Sequence, residues 1–229
     1  MRIALPDATP AEVARPTTGA DPTRGLVLCP DIMGLRPLFD DLAQRLADEQ
    51  GWVVVSPEPF PGREQLDLNE RMAAAATLDD LVAMTTLQQA ADATGMDHVG
   101  IVGFCMGGMW SLKASAIGRF DRAVSFYGMI RMPEGWGSPT MGDAIDFVTA
   151  AAACPVLELV GSEDPYVPMA DIADLQAADA AVVIYEGADH GFVHDPSRPS
   201  HRADDAADAW SRAIEFLTTS RDARAGRGW

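Results

Sequence analysis

The chain has 229 residues, 48% hydrophobic and 22% charged, with 20 glycines and 16 prolines dispersed along it. That composition excludes disorder, collagen and a coiled coil and suits a single domain over 1–229. Asp and Glu outnumber Lys and Arg 34 to 17, a net charge of −17; this argues against nucleic acid or an anionic membrane surface as partner and fits solubility or salt adaptation.

Residues 1–24, rich in Pro, Thr, Ala and Asp from residue 6 onward, read as an irregular N-terminal or edge segment. Short apolar runs then alternate with longer helical patterns. Strands are expected at 25–29, 52–56, 98–103, 122–127, 155–160 and 181–185, and helices at 37–50, 68–94, 106–118, 168–178 and 202–219. Segment 133–151 reads as an excursion carrying a short helix, and 220–229 as a frayed tail. The strands lack a polar face, as parallel strands buried on both sides do. The fold class is therefore α/β, a mostly parallel central sheet with helices on both faces. Ligands in such sheets bind beyond the carboxyl ends of the strands.

The loop after 98–103 reads Gly103-Phe104-Cys105-Met106-Gly107-Gly108. This is Gly-x-nucleophile-x-Gly, a sharp strand-to-helix turn that exposes its middle residue at a helix N-terminus, where free N–H groups favour a thiolate and an oxyanion. Cys29 and Cys154 lack that context and read as packing residues. Three cysteines make no disulfide framework, the first residues lack an apolar signal core, and no apolar run reaches the ~18 residues of a membrane span, so a reducing cytoplasmic setting is expected.

In hydrolases with such an elbow the acid and then the histidine follow the nucleophile in the chain. Asp164, after strand 155–160, is the expected acid, with Glu163 its rival, and His190, after strand 181–185, is the expected base. His190, His194 and His201 also suggest a metal site. Gly191 and Pro196 speak against the helix that spacing needs, and no metal or other cofactor is expected.

Gly-Phe-Cys-Met-Gly-Gly at 103–108, Gly-Ser-Glu-Asp-Pro-Tyr-Val-Pro at 161–168, Ala-Asp-His-Gly-Phe at 188–192 and the strand running into Tyr127-Gly128 resemble the dienelactone hydrolase family of α/β-hydrolases over about residues 24–218. The resemblance implies that Asp31, in Asp31-Ile32-Met33-Gly34, stands where the family has a nucleophile-modulating carboxylate, one methylene longer. It implies an oxyanion hole from the Ile32 and Met106 N–H groups. It further implies a substrate pocket near Phe60, Arg63, Trp110, Tyr127, Tyr166 and Phe192, with His194 where the family has an arginine. The expected function is hydrolysis of a small carboxylic ester or lactone through a Cys105 thioester. A non-catalytic binding or redox-sensing module, and a thioesterase or acyl-transfer enzyme on the same triad, are the alternatives. Oligomeric state and natural substrate stay open.

Overall fold

The computed structural model describes residues 1–219 except 18 and 20, so the expected tail at 220–229 lies outside the described residues. Eight strands form one sheet: β1 (Arg2–Ala4), β2 (Pro10–Ala14), β3 (Arg24–Cys29), β4 (Trp52–Pro57), β5 (Val99–Phe104), β6 (Arg122–Phe126), β7 (Val156–Gly161) and β8 (Ala181–Tyr185). Their order is β1-β2-β4-β3-β5-β6-β7-β8. From β4 to β8 all neighbours are parallel, while β1 and β2 join antiparallel at one edge. This is the α/β-hydrolase fold.

Among the described residues seven α-helices accompany the strands: α1 (Pro37–Gln50), α2 (Leu68–Ala74), α3 (Asp80–Ala93), α4 (Met106–Ala114), α5 (Ala144–Val148), α6 (Met169–Ala177) and α7 (Ala203–Thr218). Alternation along the strands divides the interior. Leu26, Leu28, Val54 and Val102 face a core with Phe39, Leu46, Ala209 and Leu217 of α1 and α7. Val27, Val53, Val55 and Ile101 face the opposite core, with Leu87, Met109, Leu112 and Leu175 of α3, α4 and α6. Burial on both faces explains why the strand sequences show no polar side.

Two sequence expectations change. The N-terminal segment is not irregular throughout, because Pro10–Ala14 pairs with β4 in an antiparallel register and β1 pairs with β2. The continuous helix expected over 68–94 is broken: a 3-10 turn at Ala75–Thr77 follows α2, Leu78 is extended, and Asp79 caps α3 by accepting from the Val82 N–H at 3.1 Å. A well-placed side-chain cap is a strong reason to restart a helix. Elsewhere, Pro37 opens α1 and Gly51 closes it in the left-handed region at φ 69°.

The sheet reverses its winding between β3 and β5: the chain leaves β3 for β4 on one side and returns with β5 on the other. A crevice opens at such a switch point, beyond the strand ends. The loop that follows β3, residues 30–36, and Cys105, the one residue between β5 and α4, lie at that point.

The only lysine, Lys113, is fully buried. Its Nζ donates to Asp80 Oδ1 at 2.6 Å, while Asp80 Oδ2 accepts from the Gly142 N–H at 2.7 Å. One ion pair thus ties α4 to α3 and to the 133–151 excursion. Lys113→Met leaves Asp80 with a buried, unpaired charge; the expected loss is on the order of 3 kcal/mol, read as a lower urea midpoint with an unchanged slope.

Candidate active site

At the end of β5 the backbone turns sharply into α4. Cys105, between them, has φ 55° and ψ −119°, a conformation that costs a non-glycine residue about 1–3 kcal/mol. Its N–H donates to the Phe126 carbonyl at 3.0 Å and its carbonyl accepts from the Met109 N–H at 3.0 Å, so both neighbours hold the bend. A Cβ on Gly103 would lie 1.9 Å from the Gly107 carbonyl oxygen, and one on Gly107 would lie 2.3 Å from the carbonyl oxygens of both Cys29 and Pro30. Only glycine permits these approaches. The second brings the loop after β3 against the first turn of α4.

Asp164 and His190 meet at this centre. His190 Nδ1 lies 2.8 Å from Asp164 Oδ2, and the other carboxylate oxygen accepts from the Tyr166 N–H at 2.8 Å. Asp164 is buried whereas Glu163 is exposed, so the rival acid points to solvent. Nδ1 donates its hydrogen to Asp164, which leaves Nε2 as the working nitrogen. That atom is buried and has no hydrogen-bond partner among the described residues, while the Cys105 side chain is close enough to act on the ring. Burial works against a charged imidazole here, but the hydrogen bond to Asp164, together with the charges of Cys105 and Asp164 nearby, pushes its pKa up to about 10. Tyr166, 54% exposed, covers the ring edge-on at 4.9 Å, and Tyr127 flanks it at 5.0 Å.

Among the described residues, the Ile32 and Met106 N–H groups make none of the turn, loop or cap hydrogen bonds that occupy their neighbours. The side chains around Ile32 are heavily tied. Arg71 Nη1 donates to the Ile32 carbonyl at 3.2 Å and to Glu58 Oε1 at 3.0 Å; Glu58 in turn accepts from the Leu35 and Phe60 N–H groups. Asp31 does not stand free beside the sulfur. It accepts from the Met33 N–H at 2.9 Å, from Arg36 through both oxygens at 2.6 and 2.7 Å, and from His194 Nε2 at 2.9 Å. Burial opposes its charge, but His194 and Arg36 hold its carboxyl well below the usual carboxylate range.

The residues expected to line a pocket separate into two groups. Phe60, Tyr127, Phe192 and His194 are buried. His194 has both ring nitrogens occupied, by Asp31 and by the Tyr127 hydroxyl at 2.5 Å, and therefore faces no solvent-filled space. Arg63 and Trp110 line a cavity of about 180 Å³ with Pro57, Pro59, Leu78 and Val82. Cys105, Asp164 and His190 are not among its walls; it lies at the start of the loop after β3, next to Cys29 and Pro30. Arg63 there donates to Thr77 Oγ1 at 2.9 Å. Arg198 lies against Gly191, the residue after His190: its Nη1 would be 2.4 Å from a Cβ there. Among the described residues no group of three or more His, Cys, Asp or Glu converges as for a metal ion; His190 and His194 instead each bond a carboxylate.

Four supporting residues escape sequence reasoning: Arg36, Glu58, Arg71 and Glu158. Glu158, buried on β7, accepts from the Gly128 N–H at 3.1 Å, and burial pushes its pKa well up. The weak signals available were an acid between two prolines at Pro57-Glu58-Pro59 and a glutamate within an apolar strand.

Residues 10–220 match the family model described as the dienelactone hydrolase family. The chain belongs to the dienelactone hydrolase family. Membership makes it a hydrolase of carboxylic esters or lactones. Carboxymethylenebutenolidase of Rhodococcus opacus is 30% identical over 233 residues, covering 92% of this chain and 86% of the relative. A candidate dienelactone hydrolase from Klebsiella pneumoniae subsp. pneumoniae MGH 78578 superposes with a TM-score of 0.84 at 24% identity, covering 96% of this chain and 98% of that one. A dienelactone hydrolase-like promiscuous phosphotriesterase from metagenomic libraries gives 0.74 at 20% identity, with 95% and 96% covered. The two superpositions carry the fold.

A raised imidazole pKa has a definite sign in stability. The ring binds its proton more tightly folded than unfolded, so its contribution is whole below pH 6.5 and is lost as pH rises toward about 10. Nitrogen NMR of His190 is expected to show a ring still doubly protonated at pH 8, with the urea midpoint falling between pH 6.5 and 10. A ring that titrates near 6.5 would refute this assignment.

Proposed function

We propose that the protein hydrolyses a small carboxylic ester or lactone through a thioester on Cys105, with Asp164 and His190 completing a triad. The observation that carries this reading is the His190 ring. One nitrogen is held at 2.8 Å by Asp164, and the other is buried and unpartnered beside Cys105.

The chemistry follows from that arrangement. The Cys105 sulfur, as thiolate, attacks the carbonyl carbon. Negative charge moves to the carbonyl oxygen, within reach of the Ile32 and Met106 N–H groups, which are free to receive it. As the tetrahedral intermediate collapses, His190 gives its proton to the departing alkoxide oxygen; in a lactone that oxygen stays attached and the ring opens. Water then enters, His190 takes its proton, and attack on the thioester releases the acid and restores the thiolate and the protonated ring. Asp164 keeps the imidazole in the required tautomer throughout. No step calls on a metal or an organic cofactor.

The names of the relatives support a lactone as substrate, carboxymethylenebutenolidase being the name of one. Arg198 beside Gly191, the residue after the base, supplies a cation that suits a substrate carrying a carboxylate. Arg63 and Trp110 line the proline-walled cavity at the start of the loop after β3, where an apolar portion of a substrate fits. No helix is long and apolar enough to cross a membrane among the described residues, and an odd count of three cysteines suits a reducing compartment such as the cytoplasm.

Two variants test the scheme against a panel of aryl esters and five- and six-membered lactones. Cys105→Ala is expected to reduce turnover on the order of 10³-fold or more, and Asp164→Asn, which disturbs the tautomer, by up to about 10⁴-fold in kcat, both with near-native circular dichroism. Undiminished hydrolysis by Cys105→Ala excludes the covalent route. Alkylation of Cys105 with no turnover of any panel member favours a binding module.

A further inference from the structure

Asp31 is saturated. A carboxylate offers about four lone-pair positions, and here four donors fill them: the Met33 N–H and Arg36 Nη1 on Oδ1, and Arg36 Nη2 and His194 Nε2 on Oδ2. The carboxylate is almost wholly buried among them. None of its acceptor positions is left for the Cys105 thiol.

The donors themselves are fixed. His194 must carry its hydrogen on Nε2 to donate to Asp31, so Nδ1 accepts from the Tyr127 hydroxyl at 2.5 Å. Burial favours the neutral ring that this tautomer requires. Phe39 stacks on the His194 ring at 5.8 Å and Phe104 tilts against it at 5.0 Å, which removes its freedom to rotate. Tyr127 sits at φ 45°, with its N–H held by the Leu159 carbonyl at 2.9 Å, and its ring lies edge-on to His190. A continuous chain of contacts, Arg36 to Asp31 to His194 to Tyr127 to His190, therefore joins the loop after β3 to the base.

We propose that Asp31 is a positioning residue, locked by Arg36 and His194 so that its Asx turn aims the Ile32 N–H at the substrate oxyanion, and that Cys105 is consequently unrestrained by any carboxylate in the ligand-free protein. The turn supplies the lever. Asp31 Oδ1 accepts from the Met33 N–H and the Asp31 carbonyl accepts from the Gly34 N–H, both at 2.9 Å, so the orientation of the intervening Ile32 peptide follows that of Asp31. Arg71, on the Ile32 carbonyl, holds the other side of the same residue. This assignment rests on the hydrolase reading for its catalytic readout, but not for its statement about the sulfur.

Two reactions of the same cysteine separate positioning from direct action on the thiol. Ester hydrolysis uses the Ile32 N–H; alkylation by iodoacetamide, a displacement of iodide with no oxyanion, does not. His194→Phe keeps the ring packing and removes both hydrogen bonds. It is expected to lower kcat for an activated ester about 10- to 100-fold, as a misaligned donor does, with KM changed less than about threefold and the pH 6 alkylation rate within about twofold of wild type. His194→Gln, which can still donate to Asp31, is expected to recover most of kcat. Tyr127→Phe, a milder change, is expected to show a smaller loss of the same kind. Alkylation that falls in step with hydrolysis in all three variants would mean general damage to the site and overturn the proposal. So would alkylation of Asp31→Asn more than about tenfold faster than wild type, since Asp31 would then restrain the sulfur. A wild-type protein that turns over no ester would defeat the hydrolase reading, while the Asp31→Asn alkylation rate would still judge the statement about Cys105.

Discussion

The contact on which the site depends is between two stretches of backbone. Gly107, in the first turn of α4, lies so close to the carbonyls of Cys29 and Pro30 that a Cβ would sit 2.3 Å from either oxygen. That approach places the loop after β3 beside the helix that carries Cys105. In the proposed mechanism it is what lets an amide from one loop and an amide from another serve one oxyanion. The strained φ of Cys105 is the counterpart of this closeness: a relaxed turn would carry the helix away from the neighbouring loop, and the sharp one keeps it there.

Around that contact the protein uses charge in an unusual place. Its surface is strongly acidic, yet the cations Arg71 and Lys113 are buried and each meets a carboxylate, Arg71 with Glu58 and Lys113 with Asp80. Buried pairs add little net stability, because desolvation offsets most of the attraction, but removing either partner is costly. Their use here is directional. Glu58 and Arg71 hold the main chain of residues 32, 35 and 60, and Asp80 holds residue 142. Irregular segments that need a defined shape are thus braced by groups whose geometry cannot relax cheaply.

Much of this was legible in the chain. Six strands at the expected places follow from apolar runs bounded by turn residues. The elbow follows from glycines two residues on either side of Cys105, and Asp164 and His190 from their positions after the next strands. The break at Ala74–Asp79 was hidden because both halves are helix-forming and only the Asp79 cap separates them. The pairing of Asp31 with His194, 163 residues apart, has no local pattern at all. Phe60, Tyr127 and Phe192 are indistinguishable by residue type from aromatics that face a ligand, and only packing shows that they are buried.

Local rules therefore settle the elements and bring forward the candidate reactive side chains, since hydrophobic period, caps and glycine clearances act within a few residues. The assignment of roles among charged groups was decided by the folded structure. Whether a carboxylate restrains a thiol or anchors a loop depends on which donors reach its lone pairs first. In this protein Arg36, five residues away, and His194, from the far end of the sheet, arrive together only once the chain beyond β3 and the chain beyond β8 meet past the carboxyl ends of the strands.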